Sequence, residues 1–230
     1  MGMSHSVLES STSQRTVLRW NILLIAIATL YAVFYVGGDA FSSLVLVSGV
    51  VCVTLAASGM KETHLIGIVN SLSYAYLAFN EGLYGEFALN TLFYLPMGVI
   101  GYFTWKKHSQ GTFVAMRRLS TQRMIQLAGF LVVSITVVYG LLSQLPGQNL
   151  SFLDAVTNQF AIVATLLMVM RFREQWFFYI SLNVLMIVLW SMRFMDDSSA
   201  ADSMIVMWVI FLANSLFGFV RWTRLAPQTA

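Results

Sequence analysis

Long apolar runs recur along nearly the whole chain, and they limit its fold more than any other feature. Eight such runs lie at about 20–36, 41–57, 64–80, 85–105, 125–142, 152–170, 176–192 and 203–221. A helix of about 20 apolar residues is long enough to cross the hydrocarbon core of a bilayer. With 58% hydrophobic and only 10% charged residues, the chain has too few polar residues for a soluble domain. The sequence therefore predicts an all-α integral membrane protein with eight transmembrane segments.

The basic residues predict how the segments are oriented. If all eight runs cross, every Lys and Arg falls on one side of the membrane except Arg193. Short cytoplasmic loops carry an excess of Lys and Arg, so both termini are expected in the cytoplasm. The first run is followed by no cleavage site of the A-x-A type and is expected to be a retained helix. This topology also explains the net charge of +3, and no nucleic-acid partner is predicted.

Two parts of the chain resemble each other. The stretches GMKETHLIGIVNSLSYAY and RFREQWFFYISLNVLMIV each place an Asn eight or nine residues after the Glu of a basic-acidic pair, and each part ends with Gly-x-x-x-Trp. The parts lie four crossings apart, so both run in the same direction, as in parallel transporter repeats with a substrate site between the halves near mid-membrane. The predicted organisation is a cytoplasmic tail at 1–19, an extra helix at 20–36, a three-helix repeat at 41–105, a basic cytoplasmic loop at 106–124, a linker helix at 125–142, a second repeat at 152–222 and a tail at 223–230.

Amide and aromatic side chains interrupt the apolar runs in both repeats. An amide in hydrocarbon is costly unless it is hydrogen-bonded, so these residues either hold helices together or line a site. We favour a site, because Asn183 and Trp190 are two helical turns apart and share one face. Neutral amides and aromatic rings suit an uncharged or singly positive heterocycle that carries a sugar. The candidates are Asn70, Ser73, Tyr74, Asn90, Tyr94, Asn158, Gln159, Asn183, Trp190, Trp208 and Asn214.

Several other functions find no support in the sequence. No Lys or Arg lies at the centre of a run, and the nearest acids, Asp39, Glu86 and Asp154, lie at run ends, which argues against a proton relay or an ion-coupled pump. The three histidines are isolated, so no metal or cofactor is predicted. No serine has a supporting His and Asp, so the protein is not expected to be an enzyme. Pro96, inside the fourth run, predicts a kink or a hinge.

The stretches NSLSYAYLAFNEGLYGEF, GYFTWKK, REQWFFYISLNV and ANSLFGFVRW together resemble the PnuC family of bacterial vitamin transporters, over about residues 40–225. The resemblance implies a SWEET-like bundle of 3+1+3 helices, usually a homotrimer, in the bacterial inner membrane. It also implies facilitated diffusion of nicotinamide riboside, a vitamin B3 form and NAD precursor, which a cytoplasmic ribosylnicotinamide kinase then traps by phosphorylation. Related branches carry thiamine or riboflavin, and a non-transporting membrane scaffold is the alternative from another class.

The resemblance also implies roles for individual residues. Asn70 and Asn183 match the family's Asn on the second helix of each repeat, and Asn214 matches an Asn of the last helix. Trp176 occupies the first position of a W-x-x-W pattern, in which Tyr179 replaces the second Trp. The resulting hypothesis is a central pocket in which Asn183 bonds the ribose or the carboxamide, aromatic rings stack on the pyridinium, and the halves rock to give alternating access.

Overall fold

The structure is a computed structural model that describes residues 11–36, 40–80, 87–111, 113–144, 151–195 and 201–226. These residues form eight α-helices, one π-helical segment and one short β-hairpin. The chain divides into two compact units, Met1–Ala115 and Met116–Ala230. Each unit contains one of the two parts that resemble each other in sequence.

The first unit is built around α2 and α3. Its helices are α1 (Ser11–Tyr35), α2 (Ala40–Ser58), α3 (Glu62–Asn80) and α4 (Leu95–Lys107), and the π-helical segment Leu89–Tyr94 leads directly into α4. Helix α2 packs against α1 and α3, and α3 packs against α4. Strands β1 (Ser109–Gln110) and β2 (Phe113–Val114) pair antiparallel after α4.

The second unit is built around α6 and α7. Its helices are α5 (Thr121–Leu142), α6 (Ser151–Val169), α7 (Gln175–Met195) and α8 (Ala201–Leu225). Helix α7 packs against both α6 and α8, and α5 packs against α6. The end of α6 is anchored by a buried apolar cluster of Leu119, Leu131, Val163, Leu167 and Phe172.

All eight predicted segments correspond to helices, but only some of these helices meet the length and hydropathy expected of a membrane crossing. Within the described residues, six helices are long and apolar enough to cross a membrane: α1, α2, α5, α6, α7 and α8. Helix α3 carries polar residues such as His64, Asn70 and Ser73 within its 19 residues, and α4 has only 13 residues. A helix can cross a membrane with a lower mean hydropathy when its polar side chains face neighbouring helices rather than lipid. Crossing by α3 and α4, and so the total of eight crossings, stays a prediction.

The structure changes some predicted boundaries. Helix α1 begins at Ser11, so the second half of the predicted polar tail is helical, because hydropathy marks the membrane-spanning part of a helix and not its polar extension. The predicted loop at 106–124 is partly structured, since α4 runs to Lys107, the hairpin follows, and α5 begins at Thr121. Pro96 does not stand within a continuous α-helix. It is the second residue of α4, directly after the π-helical segment, and Leu95 N–H donates to the carbonyl of Asn90.

The turn between α2 and α3 and the turn between α6 and α7 share one backbone geometry. Gly59 and Arg171 both adopt positive φ, 75° and 66°, three residues before a glutamate. Met60 N–H donates to the carbonyl of Leu55 (3.0 Å), and Phe172 N–H donates to that of Leu167 (2.8 Å). This is the Schellman ending of a helix, and it places the start of α3 and of α7 in equivalent positions within their own units.

The outer faces of α1 and α5 are apolar and exposed. On α5, Ile125, Val132 and Val133 are each more than 60% exposed, and Val33 and Phe34 on α1 are similarly exposed. Lipid tails are as apolar as these side chains, so a membrane would cover such a surface without cost. The exposed faces therefore agree with an integral membrane protein.

Candidate functional site

The two asparagines predicted at equivalent positions both join neighbouring helices. On α3, Asn70 Nδ2 donates to the carbonyl of Val45 (2.8 Å) and to Ser48 Oγ (3.0 Å), both on α2. On α7, Asn183 Nδ2 donates to Ser215 Oγ on α8 (2.9 Å), and Asn183 is only 2% exposed. The two amides thus use different partner helices, the preceding helix in the first unit and the following helix in the second.

The other candidates of the first unit lie on α3 and around the π-helical segment. Ser73 is buried, and its hydroxyl donates to the carbonyl of Val69 (2.9 Å), one turn earlier in the same helix. Tyr74 is half-buried. Asn90 is buried within the π-helical segment, and the half-buried Tyr94 at its end contacts the neighbouring Phe93 ring. The π-helical segment thus contains an amide and a phenol, and short π segments are frequent at functional sites.

The candidates of the second unit occupy α6, α7 and α8. Gln159 and Asn214 are buried, and Asn158 and Trp190 are half-buried. Asn214 immediately precedes Ser215, the hydroxyl partner of Asn183. Asn183 of α7 and Ser215 of α8 therefore meet at one contact between the two helices.

Trp176 lies in a packed aromatic cluster near the start of α7. Its ring is in edge contact with Trp222 (centroids 6.0 Å apart) and in tilted contact with Tyr179 (5.9 Å). A Cβ added at Gly218 would lie 2.5 Å from the indole, so glycine is required at that position. The phenol of Tyr179 is within 3.5 Å of Thr165 Oγ1 and donates weakly to Met168 Sδ (3.7 Å).

The first unit repeats this cluster with different residues. His64 takes the place of Trp176, a side chain at Gly101 would overlap the His64 ring, and Trp105 lies in edge contact with that ring at 4.7 Å. The repeated Gly-x-x-x-Trp ending therefore has a structural explanation. Its glycine admits the ring from the second helix of the repeat, and its tryptophan packs against that ring.

The basic-acidic pairs that precede α3 and α7 form ion pairs in both units. Lys61 and Glu62 lie 3.4 Å apart on the surface, and Arg173 Nε donates to Glu174 Oε1 at 3.1 Å. Glu174 is buried and also accepts a hydrogen bond from Leu119 N–H (3.0 Å). Nearby, the pKa of Arg171 is lowered, mainly by burial and secondly by the positive charge of Arg117. The turn before α7 is thus a buried charged network, and its counterpart before α3 is solvent-exposed.

Sequence reasoning missed the partners of the amides. Ser48 and Ser215 are single hydroxyls in apolar helices, and small hydroxyl residues that bond across helices are typical of membrane bundles. Gly101 and Gly218 were recognised only as parts of a repeated motif.

The site candidates are chemically neutral. Amides, hydroxyls and aromatic rings can bind an uncharged or singly positive ligand by hydrogen bonds and ring stacking, and none of them is a strong acid or base. Of the acids expected near run ends, Asp154 lies half-buried in the first turn of α6, and Asp39 and Glu86 lie outside the described residues. The chemistry of these side chains is that of binding.

Comparisons with known proteins agree with this chemistry. The nicotinamide mononucleotide transporter family matches residues 39–224. A relative from Neisseria mucosa named nicotinamide riboside transporter PnuC is 32% identical over 91% of this chain and 81% of that protein. A relative of the same name from Haemophilus influenzae is 29% identical over 90% of each chain. The crystal structure of the vitamin B3 transporter PnuC superposes with a TM-score of 0.80 at 30% identity, over 97% of this chain and 93% of that one. This chain is therefore a multi-pass membrane transport protein and belongs to the nicotinamide mononucleotide transporter family.

Proposed function

We propose that this protein carries nicotinamide riboside across the bacterial inner membrane by facilitated diffusion. The observation that carries the proposal is the neutral polar chemistry within both units, in which Asn70 is bonded to Ser48 and Asn183 to Ser215, and aromatic candidates lie on the same helices. These groups are suited to the ribose hydroxyls, the carboxamide and the cationic pyridinium of the riboside. Relatives at 32% and 29% identity are named for the same substrate.

The riboside is favoured over its phosphorylated form by charge. A phosphate carries up to two negative charges and is normally bound by Arg or Lys side chains or by a helix N-terminus. The central parts of the apolar segments contain no Lys or Arg. Arg171 lies in the turn before α7, and Arg221 lies in the last turns of α8. A phosphate would therefore be poorly compensated in the membrane interior.

Facilitated diffusion by alternating access is the mechanism that fits these residues. A proton- or ion-coupled carrier usually needs ionisable groups inside the membrane, and the candidate residues are neutral. Uptake would then be driven by the substrate gradient, which a cytoplasmic ribosylnicotinamide kinase maintains by trapping the riboside as its phosphate. The π-helical segment before Pro96 is a suitable place for the bending that such a cycle requires.

The family resemblance supports the remaining parts of the proposal. We expect a SWEET-like arrangement of 3+1+3 helices behind one extra helix, eight crossings, both termini in the cytoplasm, and a homotrimer. The basic residues on one side support the orientation. The shared turn geometry and the shared ring-glycine contacts of the two units support the parallel duplication.

Calorimetric titration of the detergent-purified protein tests the substrate. We expect saturable one-site binding of nicotinamide riboside and no binding of thiamine, riboflavin or nicotinamide mononucleotide. Binding of another vitamin instead would replace the substrate while keeping the fold. Uptake of the riboside into sealed vesicles that contain the protein separates a transporter from a membrane scaffold, since a scaffold gives no flux above that of empty vesicles.

A further inference from the structure

Gln175, the first residue of α7, carries polar atoms that the fold leaves without a partner. The residue is 0% exposed, and within the described part of the chain neither Oε1 nor Nε2 of its side chain forms a hydrogen bond. Its backbone is satisfied, because its N–H donates to the carbonyl of Phe172 (3.3 Å). Burial of an amide without hydrogen bonds is costly, and a leucine of similar size would avoid that cost. An amide at this position is expected to gain its partners from outside the chain.

The first unit shows that the turn does not require such a group. Thr63 follows Glu62 as Gln175 follows Glu174, so the two residues are equivalent. Thr63 Oγ1 donates to the carbonyl of Cys52 (2.7 Å), which satisfies the hydroxyl inside the fold. The unsatisfied amide is therefore a property of the second unit and not of the shared turn geometry.

The unsatisfied nitrogens of the neighbouring rings do not indicate a ligand in the same way. Trp176 Nε1 is buried without a hydrogen bond among the described residues, and so is His64 Nε2 at the equivalent position of the first unit. Since both units share this feature, it reflects the ring-glycine packing. The unsatisfied side chain of Gln175, in contrast, has no counterpart at Thr63.

A glutamine amide presents one acceptor and one donor side by side. This pattern is complementary to another primary carboxamide, with which it can form two hydrogen bonds. A carboxylate could pair only with Nε2 and would place an oxygen against Oε1. We propose that Gln175 binds the carboxamide of the transported riboside at the turn between α6 and α7, and that it selects the carboxamide over the corresponding acid.

The proposal rests on the proposed function and adds a residue to its binding site. Gln175 lies eight residues before Asn183, which is about 12 Å along a helix. Because Gln175 is enclosed, the substrate reaches it only when the helices around the start of α7 separate. The amide is thus a second contact for the substrate, distinct in position from the contact between Asn183 and Ser215.

Titration of the wild-type protein and of Gln175→Leu with nicotinamide riboside and nicotinic acid riboside tests the proposal. We expect the wild type to prefer the carboxamide, and the variant to lose at least about tenfold in affinity for nicotinamide riboside together with that preference. The ligand-free variant should unfold at the same or a higher temperature, because an unsatisfied amide has been removed. Wild-type affinity and preference in the variant would overturn the inference and leave the proposed function intact. A wild type that binds neither riboside would contradict the proposed function itself.

Two further variants make the result independent of folding defects. Thr63→Val removes the equivalent polar group of the first unit and should lower the unfolding temperature without changing ligand preference. Gln175→Glu keeps the size of the side chain and removes the Nε2 donor, so it too should weaken nicotinamide riboside binding at least about tenfold. Unchanged binding by Gln175→Glu, or a lower unfolding temperature of Gln175→Leu with unchanged preference, would show that the amide has a structural role only.

Discussion

The indole of Trp176 occupies the space that a side chain at position 218 would need. Gly218 on α8 admits the ring, and a Cβ there would lie 2.5 Å from it. In the first unit the ring of His64 stands in the same relation to Gly101. The two halves of the chain thus preserve one contact, between a ring on the second helix of the repeat and a glycine on the third, although the ring itself has changed.

Gly218→Ala should destabilise the protein. The added methyl group overlaps an indole that Trp222 and Tyr179 hold in place, so the ring or a helix must move. We expect the free energy of unfolding to fall by roughly 1–3 kcal/mol, the usual cost of overpacking a core. Thermal unfolding of the purified protein measures the loss.

The matched control is Gly129→Ala on α5. No heavy atom lies within 4 Å of a Cβ added there, and alanine is a better helix former than glycine. Stability should remain unchanged or rise slightly. If Gly218→Ala is as stable as Gly129→Ala, the packing account of the Gly-x-x-x-Trp motif is wrong.

Asn183→Leu should abolish binding of nicotinamide riboside and leave the protein folded. The substitution removes the proposed ligand contact and one hydrogen bond to Ser215, and such interhelical bonds contribute only about 0.6–2 kcal/mol. Calorimetric titration and thermal unfolding measure the two effects separately. Ser215→Ala is the control, because it removes the same hydrogen bond but keeps the amide, and it should retain binding. Wild-type affinity in Asn183→Leu would exclude this residue from the site.

Glu174→Ala should be much more damaging than Glu62→Ala. The side chain of Glu174 is 4% exposed and holds Arg173 and the N–H of Leu119, whereas that of Glu62 is 43% exposed. Removal of one partner from a buried network costs roughly 3–5 kcal/mol, and loss of a surface ion pair costs at most about 1 kcal/mol. Chemical unfolding of both variants tests this difference, and equal losses would contradict it.

Gly59→Ala should destabilise the turn between α2 and α3. The φ of Gly59 is 75°, and a left-handed conformation costs residues other than glycine roughly 1–2 kcal/mol. Gly59→Asn serves as the comparison, since asparagine tolerates this conformation better. The unfolding temperature should therefore fall further for alanine than for asparagine, and the reverse order would show that space rather than backbone conformation governs the position.

The helices could be predicted from sequence because lipid makes long apolar runs necessary. The start of α1 at Ser11 could not, since its first residues are polar and carry no hydropathy signal. The π-helical segment at Leu89–Tyr94 was also missed, because a proline indicates a disturbed helix but not which hydrogen-bond register replaces it.

The sequence identifies the polar residues within the apolar runs but not the contacts that each of them makes. The similar spacing of Asn70 and Asn183, eight and nine residues after a glutamate, relates the two residues, but spacing does not reveal which neighbouring helix each amide faces. The sequence therefore does not identify Ser48 and Ser215 as their partners. Burial of Gln175 depends on how α7 packs within its unit, and no local pattern encodes that.

The hydrogen bond from Leu119 to Glu174 has a mechanical consequence for α5. Leu119 directly precedes Ser120, whose hydroxyl accepts a hydrogen bond from Arg123 N–H at the start of that helix. The capping residue Ser120 is therefore adjacent to the residue that is hydrogen-bonded to Glu174, so the beginning of α5 is held close to the beginning of α7. We therefore expect a displacement of the first turn of α7 to move the beginning of α5 with it.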